Sequence, residues 1–80
     1  MQTKFKRHQK VKLLRDPDQE YIEYHNIEEN LENRPKITKG MLGRINILLP
    51  NGQYHVEILD KEGNTMAYAK MDEESLEALN

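Results

Sequence analysis

The sequence predicts an all-β domain: a small barrel of about five antiparallel strands, with a long, partly helical first loop and a short C-terminal helical turn. Two observations carry this prediction. Residues 40–71 alternate apolar and polar side chains in three short runs, which is typical of strands with one buried face. The runs are separated by Pro50-Asn51-Gly52 and by Asp60-Lys61-Glu62-Gly63, two stretches of turn-forming residues that favour hairpins.

The composition allows one small folded domain. The chain has 80 residues, of which 36% are hydrophobic, and its formal net charge is only −2. A chain of this length has a thin core, since it buries roughly 60–65% of the surface of its unfolded form. We expect a flexible basic arm over residues 1–8, with Phe5 as its only apolar anchor, followed by a single domain over residues 9–80.

Several classes of protein are excluded or disfavoured. The chain has no cysteine, which excludes disulfides, thiolate catalysis and cysteine-rich zinc sites and fits a cytoplasmic location. It has no apolar run of about 18 residues that could cross a membrane. Its first ten residues are charged and lack the apolar stretch of a secretory signal.

The first strand and the long loop come before the meander. Val11 and Leu13 alternate with lysines and predict a strand, which ends before Pro17 because proline has no amide for a ladder. Residues 16–38 are predicted to form a long acidic loop. Within it, Asn26 and Glu29 have the spacing of a capping box, which favours one or two helical turns. Loops of this length in compact domains are often functional.

The meander and the C-terminal turn complete the predicted barrel. Four glycines are expected at turns and bends, where positive φ or the lack of a Cβ is needed: Gly40, Gly43, Gly52 and Gly63. Asp72 is expected to cap a short helical turn. The alternation predicts an inward face made of Val11, Leu13, Ile45, Ile47, Tyr54, Val56, Ile58, Ala67, Ala69 and Leu76.

The order of these elements resembles a known fold. The motif Gly-x-x-Gly-x-Ile at 40–45, the run Tyr-His-Val-Glu-Ile at 54–58, and then Ala67 and Leu76 are similar to small SH3-like barrels. The glycine motif resembles KOW modules of ribosomal proteins and transcription elongation factors. The layout also resembles compact accessory-subunit barrels such as the variable chain of ferredoxin–thioredoxin reductase. The resemblance covers roughly residues 9–79 and implies an SH3-like barrel, while the loop at 16–38 is longer and more acidic than a typical KOW loop.

The function favoured by these features is a non-catalytic protein–protein interaction module, a small accessory subunit of a larger cytoplasmic complex. SH3-like barrels present an irregular first loop with aromatic residues at a shallow groove, and here that position holds Tyr21, Ile22, Tyr24 and His25. Such aromatic residues either cover the end of the barrel or serve as exposed anchors for a partner. Both interpretations stay open for these four residues.

The alternative is a KOW-like RNA- or DNA-binding module, because the charges are segregated. Residues 1–15 carry six basic residues and no acid, whereas acids dominate residues 16–35. The two regions could neutralise each other, which we favour, or bind outside partners. If the basic region is exposed instead, phosphates would be contacted by Lys4, Lys6, Arg7, Lys10, Lys12, Lys39 and Arg44.

Metal binding and catalysis are disfavoured. His55 and Glu57 share one strand face and could join His8 or His25 at a metal, but no His-x-x-x-His or cysteine spacing is present. A polar strand face is the simpler interpretation. No arrangement of nucleophile and base can be identified, and a barrel of this size fills its interior with side chains. We therefore expect no metal, no cofactor and no enzymatic activity.

Overall fold

The computed structural model describes residues 5–24 and 36–79, and these residues form one antiparallel sheet. Its strands are β1 (Lys10–Leu13), β2 (Ile22–Tyr24), β3 (Leu42–Leu48), β4 (Gln53–Leu59), β5 (Thr65–Asp72) and β6 (Leu76–Ala78). Single 3₁₀ turns lie at Gln19–Tyr21, Pro50–Gly52 and Glu73–Ser75. No α-helix occurs in the described part of the chain, so the predicted all-β class is confirmed.

The strand order is β2-β5-β4-β3-β1-β6, and every neighbouring pair is antiparallel. Strands β3, β4 and β5 form the meander that the two turn sequences predict. β1 lies between β3 and the C-terminal strand β6. The edge strands β2 and β6 are not hydrogen-bonded to each other in the described residues, so the sheet is open and not the closed barrel expected from the sequence.

The structure has six strands in its described residues, whereas the sequence predicts about five. The strands that the sequence pattern does not define are β2 and β6, which are three residues long. An alternating pattern cannot be recognised over three residues. At the C-terminus a 3₁₀ turn at Glu73–Ser75 leads directly into β6, where the sequence predicts a helical turn. The residues 25–35, on which most of the predicted loop helix falls, lie outside the described residues.

The core lies on one face of the sheet. Its buried members are Phe5, Val11, Leu13, Ile37, Ile45, Tyr54, Val56, Ile58, Ala67, Ala69, Met71 and Leu76. The same cluster includes Leu76 from one edge strand and is covered by Ile22 and Tyr24 from the other. The open sheet therefore curls around its own apolar face, which a single flat sheet without a second layer could not bury.

Ile47 does not face inward as predicted. Ile45 pairs with Val56, but Ile47 pairs with His55, so the register shifts by one residue between the two isoleucines. A bulge of this kind reverses the alternation of the strand beyond it. Ile47 is therefore 48% exposed.

The N-terminal segment contributes to the core from Phe5 onward. The Phe5 ring packs edge-on against the Tyr54 ring, with the centroids 5.2 Å apart. The Phe5 amide donates to the Tyr54 hydroxyl (N–O 3.3 Å), which in turn donates to Glu73 Oε2 (2.9 Å). Residues 1–4 lie outside the described residues, so a flexible arm over the whole of 1–8 stays a prediction.

The two glycines of the predicted motif have different roles. Gly40 has a φ of 91°, a value that suits a residue without a side chain, and it lies in the turn before β3. Gly43 lies inside β3, where an added Cβ would be 2.8 Å from Val56 Cγ1 and 2.9 Å from the Glu57 carbonyl oxygen. Gly43 is therefore required by the close approach of β4.

Candidate functional site

A cleft of about 270 Å³ lies where the β1–β2 connection meets the start of β4 and the end of β5. Three segments bring their polar side chains together there because β2 pairs with β5 and the Glu73–Ser75 turn follows β5 directly. The cleft is lined by Arg15, Asp16, Pro17, Asp18, Tyr21, Gln53, Lys70, Met71, Asp72 and Ser75.

Local hydrogen bonds fix the β1–β2 connection that forms one wall of the cleft. Asp18 caps the first 3₁₀ turn, since its Oδ1 accepts from the Glu20 amide (3.0 Å). The Tyr21 amide donates to the Asp18 carbonyl oxygen (2.9 Å). Asp16 Oδ1 accepts from the Lys39 amide (2.7 Å), which ties this wall to the segment that leads into β3. Tyr21 is thus held on an ordered turn.

Tyr21 stands out from the surface beside the cleft. It is 48% exposed, and the Lys70 ammonium nitrogen lies over its ring, 4.3 Å from the centroid. This cation–π contact limits the orientations of the ring. A second recess of about 280 Å³ begins on the other side of Tyr21, lined by Glu20, Tyr21, Glu23, Leu49, His55 and Lys70. The ring is therefore a ridge between two recesses.

The structure separates the four residues that the sequence predicts for partner binding. Ile22 and Tyr24 are half-buried and pack against the core, which is the position of residues that cover an apolar interior. Tyr21 is the most exposed of the three that are described. His25 lies outside the described residues.

The surroundings of the cleft are acidic on one side. Gln53 Nε2 donates to Asp72 Oδ1 (2.9 Å), which holds this carboxylate at the rim. A broad depression continues from there, lined by Asn51, Gly52, Asp72, Glu73 and Glu74. Arg15 and Lys70 are the basic side chains of the cleft lining.

The basic residues that the sequence predicts for nucleic-acid binding lie elsewhere. Lys6, Arg7, Lys10, Lys12 and Lys39 are exposed, and Lys4 lies outside the described residues. Arg44 forms an ion pair with Glu57 (Nη2–Oε1 2.8 Å), and no other ion pair occurs among residues 5–24 and 36–79. In this part of the chain the acids at 16–24 therefore form no ion pair with the basic residues at 6–15.

His55 and Glu57, the pair considered for a metal, have other partners. His55 Nδ1 lies 3.0 Å from Asn46 Nδ2, and its ring stacks on Tyr68 with the centroids 5.2 Å apart. Glu57 is engaged by Arg44. Over the described ranges no group of three or more histidine, aspartate or glutamate side chains could hold a metal ion.

The sequence does not predict the part that Lys70 and Gln53 play in this site. Both face outward on their strands and could have been identified as surface residues, but their proximity to Tyr21 depends on the pairing of β2 with β5, which is remote in sequence.

Comparison with models of known protein families, with curated proteins and with solved structures gave no match. Among the helical turns of the described chain, none is long and apolar enough to cross a membrane.

Proposed function

We propose that the protein is a non-catalytic protein–protein interaction module, a small accessory subunit of a larger cytoplasmic complex, which binds its partner at Tyr21. One observation carries this proposal: an exposed aromatic ring stands on a hydrogen-bonded turn between two recesses. Tyrosine combines a large apolar body with a polar tip, and such residues dominate the energy of many interfaces.

The arrangement of Tyr21 favours binding because it lowers the entropy lost when a partner docks. The capped turn and the contact with Lys70 already restrict the ring in the free protein. A side chain that is ordered before binding loses less conformational freedom at the interface. The recesses on either side offer space for side chains of the partner.

An SH3-like relationship is part of this proposal. The meander β3-β4-β5, the position of β1 between β3 and β6, and the 3₁₀ turn between β5 and β6 support it. In that view the β1–β2 connection is the irregular first loop, and the cleft beneath it is the shallow groove that such modules present.

The test uses a photo-crosslinking side chain at Gln19, on the same turn as Tyr21, to capture partners from a nuclease-treated lysate. Tyr21→Ala should lower capture at least about tenfold, which corresponds to about 1.4 kcal/mol, without lowering the melting temperature. Leu42→Ala is the matched control, because Leu42 on β3 is 49% exposed and is absent from the lining of both recesses.

Two results would contradict the proposal. Capture that is the same for Tyr21→Ala and Leu42→Ala would show that the ring is not an anchor. If Tyr21→Ala unfolds the protein, the ring stabilises the fold and is not a contact for a partner.

A second candidate, a KOW-like nucleic-acid binder, is favoured by one observation. The basic side chains at 6, 7, 10 and 12 are exposed and make no ion pair with the described acids. Capture from untreated lysate, compared with capture from nuclease-treated lysate, separates the two candidates, because complexes held together by nucleic acid are lost on treatment and direct protein complexes remain.

A further inference from the structure

Two cations lie side by side on the outer face of the sheet, opposite to the core, and a third is bonded to the same strand. Lys10 on β1 and Arg44 on β3 are direct cross-strand partners. The Arg7 side chain contacts β3 two residues beyond Arg44, since its Nε donates to the backbone carbonyl oxygen of Asn46 (3.3 Å). Arg7, Lys10 and Arg44 are called the cationic corner below.

This corner is a local excess of positive charge on a chain whose net charge is −2. Glu57 pairs with Arg44, and neither Arg7 nor Lys10 has an ion pair with a described residue. Like charges directly opposite each other weaken a strand pair. Glu57 offsets this repulsion at Arg44, and a bound anion would lower it further.

Aromatic side chains adjoin the cationic corner on the same face. His55 contacts Asn46 through its Nδ1 (3.0 Å from Asn46 Nδ2), and Asn46 also holds Arg7. The His55 and Tyr68 rings stack nearly parallel, at 17°, with their centroids 5.2 Å apart. This face therefore carries cations on β1 and β3 and aromatic rings on β4 and β5, with Glu57 between Arg44 and Tyr68.

We propose that this face binds single-stranded nucleic acid, with phosphates at the cationic corner and a base stacked at the His55–Tyr68 pair. Sites for single strands combine these two elements, because cations attract the backbone and aromatic rings accept any base. A duplex hides its base faces, and an acidic peptide would use the cations but not the rings. Three acids lie on the same face: Glu57, which pairs with Arg44, and Glu23 are the two cross-strand neighbours of Tyr68, and Glu77 lies opposite Lys12.

This surface is separate from the cleft at Tyr21, so the inference does not depend on the proposed protein partner; it rests on the second candidate function, nucleic-acid binding, and assigns residues to it. The cleft has an acidic rim and lies at the end of β5, whereas the cationic corner lies across β1 and β3.

The experiment measures fluorescence anisotropy of labelled oligo-uridine and oligo-thymidine of about 12 nucleotides with the full chain. The logarithm of the association constant falls linearly with the logarithm of the salt concentration, with a slope of about −0.7 for each phosphate contact to a single strand. Three contacts therefore predict a slope of about −2, so affinity should fall roughly 20-fold between about 50 mM and about 200 mM salt. Lys10→Gln should make this slope shallower by about 0.7. Lys61→Gln, the same change of charge in the β4–β5 turn, should leave it unchanged.

The aromatic pair is tested separately. Tyr68→Leu should weaken binding roughly 5- to 150-fold with the salt slope retained, and Tyr68→Phe should restore it, since stacking needs only the ring. NMR titration of the unmodified protein with the same oligonucleotides needs no variant. The amide resonances of Arg44, Asn46 and His55 should change in chemical shift, and that of Asp18 in the cleft should not.

The inference is overturned if no salt-dependent binding is found at about 50 mM salt. It is also overturned if Lys10→Gln and Lys61→Gln behave alike, or if the shifted amides lie at the cleft. Equal displacement by a polyglutamate of the same charge, with no effect of Tyr68→Leu, would identify a general anion surface and refute the nucleic-acid site.

Discussion

Replacing Gly43 with alanine should destabilise the fold, because β4 lies too close to β3 at this residue to leave space for a side chain. The new methyl carbon would lie 2.8 Å from Val56 Cγ1, 2.9 Å from the Glu57 carbonyl oxygen and 3.7 Å from Leu13 Cδ1. Val56 is fully buried and has little room to rotate. The Glu57 oxygen belongs to the paired strand, so relief requires β3 and β4 to move apart.

The expected cost follows from two opposing terms. Overpacking a buried position costs about 1–3 kcal/mol. Alanine restricts the unfolded chain more than glycine does, which offsets about 0.4–1 kcal/mol of that cost. The free energy of unfolding should therefore fall by about 1–2 kcal/mol. For a small domain with a urea m-value near 1 kcal/mol/M, the unfolding midpoint should fall by about 1–2 M.

Urea denaturation followed by circular dichroism measures this change, with Gly63→Asn as the control. Gly63 has a φ of 88°, and no atom lies within 4 Å of the place that a Cβ would occupy there. Asparagine tolerates a positive φ better than most residues. The midpoint of this control should fall by less than that of Gly43→Ala, because its cost comes from the positive φ alone. A midpoint for Gly43→Ala that is no lower than that of Gly63→Asn would refute the argument from close approach.

Two further predictions concern the N-terminal segment. Phe5→Ala should lower the free energy of unfolding by about 3–5 kcal/mol, because it removes a fully buried aromatic ring. A decrease below about 1 kcal/mol in urea denaturation would show that Phe5 is not part of the core in solution. Tyr54→Phe should lower the free energy of unfolding by about 1–3 kcal/mol in the same assay, because it removes two hydrogen bonds worth about 0.5–1.5 kcal/mol each. One of these bonds joins the Tyr54 hydroxyl to the Phe5 amide and the other joins it to Glu73. An unchanged midpoint would mean that the hydroxyl does not link these segments.

The parts of the fold that the sequence predicts are those decided by neighbouring residues. The hairpins at Pro50–Gly52 and Asp60–Gly63 are encoded by turn residues, and β4 keeps its alternation without interruption, so Tyr54, Val56 and Ile58 are all buried as expected. Ile47 was placed wrongly because a bulge depends on how two strands fit, and a one-residue shift leaves no mark in the pattern.

The sequence predicts which residues of the β1–β2 connection belong to the candidate site, but not which of them are exposed or which residues lie beside them. Tyr21, Ile22 and Tyr24 have the same character in the sequence, yet the pairing of β2 with β5 buries part of Ile22 and Tyr24 and leaves Tyr21 exposed beside Lys70. Likewise, Lys10 and Arg44 become neighbours only through the pairing of β1 with β3.

The amino-acid sequence by itself determined the all-β class, the meander from β3 to β5 and most of the apolar face, because turn chemistry and alternation act over a few residues. Only the tertiary structure decided that the sheet is open, that Phe5 belongs to the core, and which side chains meet at the cleft and at the cationic corner. The physical reason is that these features depend on register between strands that are distant in the chain. That register is selected by the packing of the whole core and not by any local pattern.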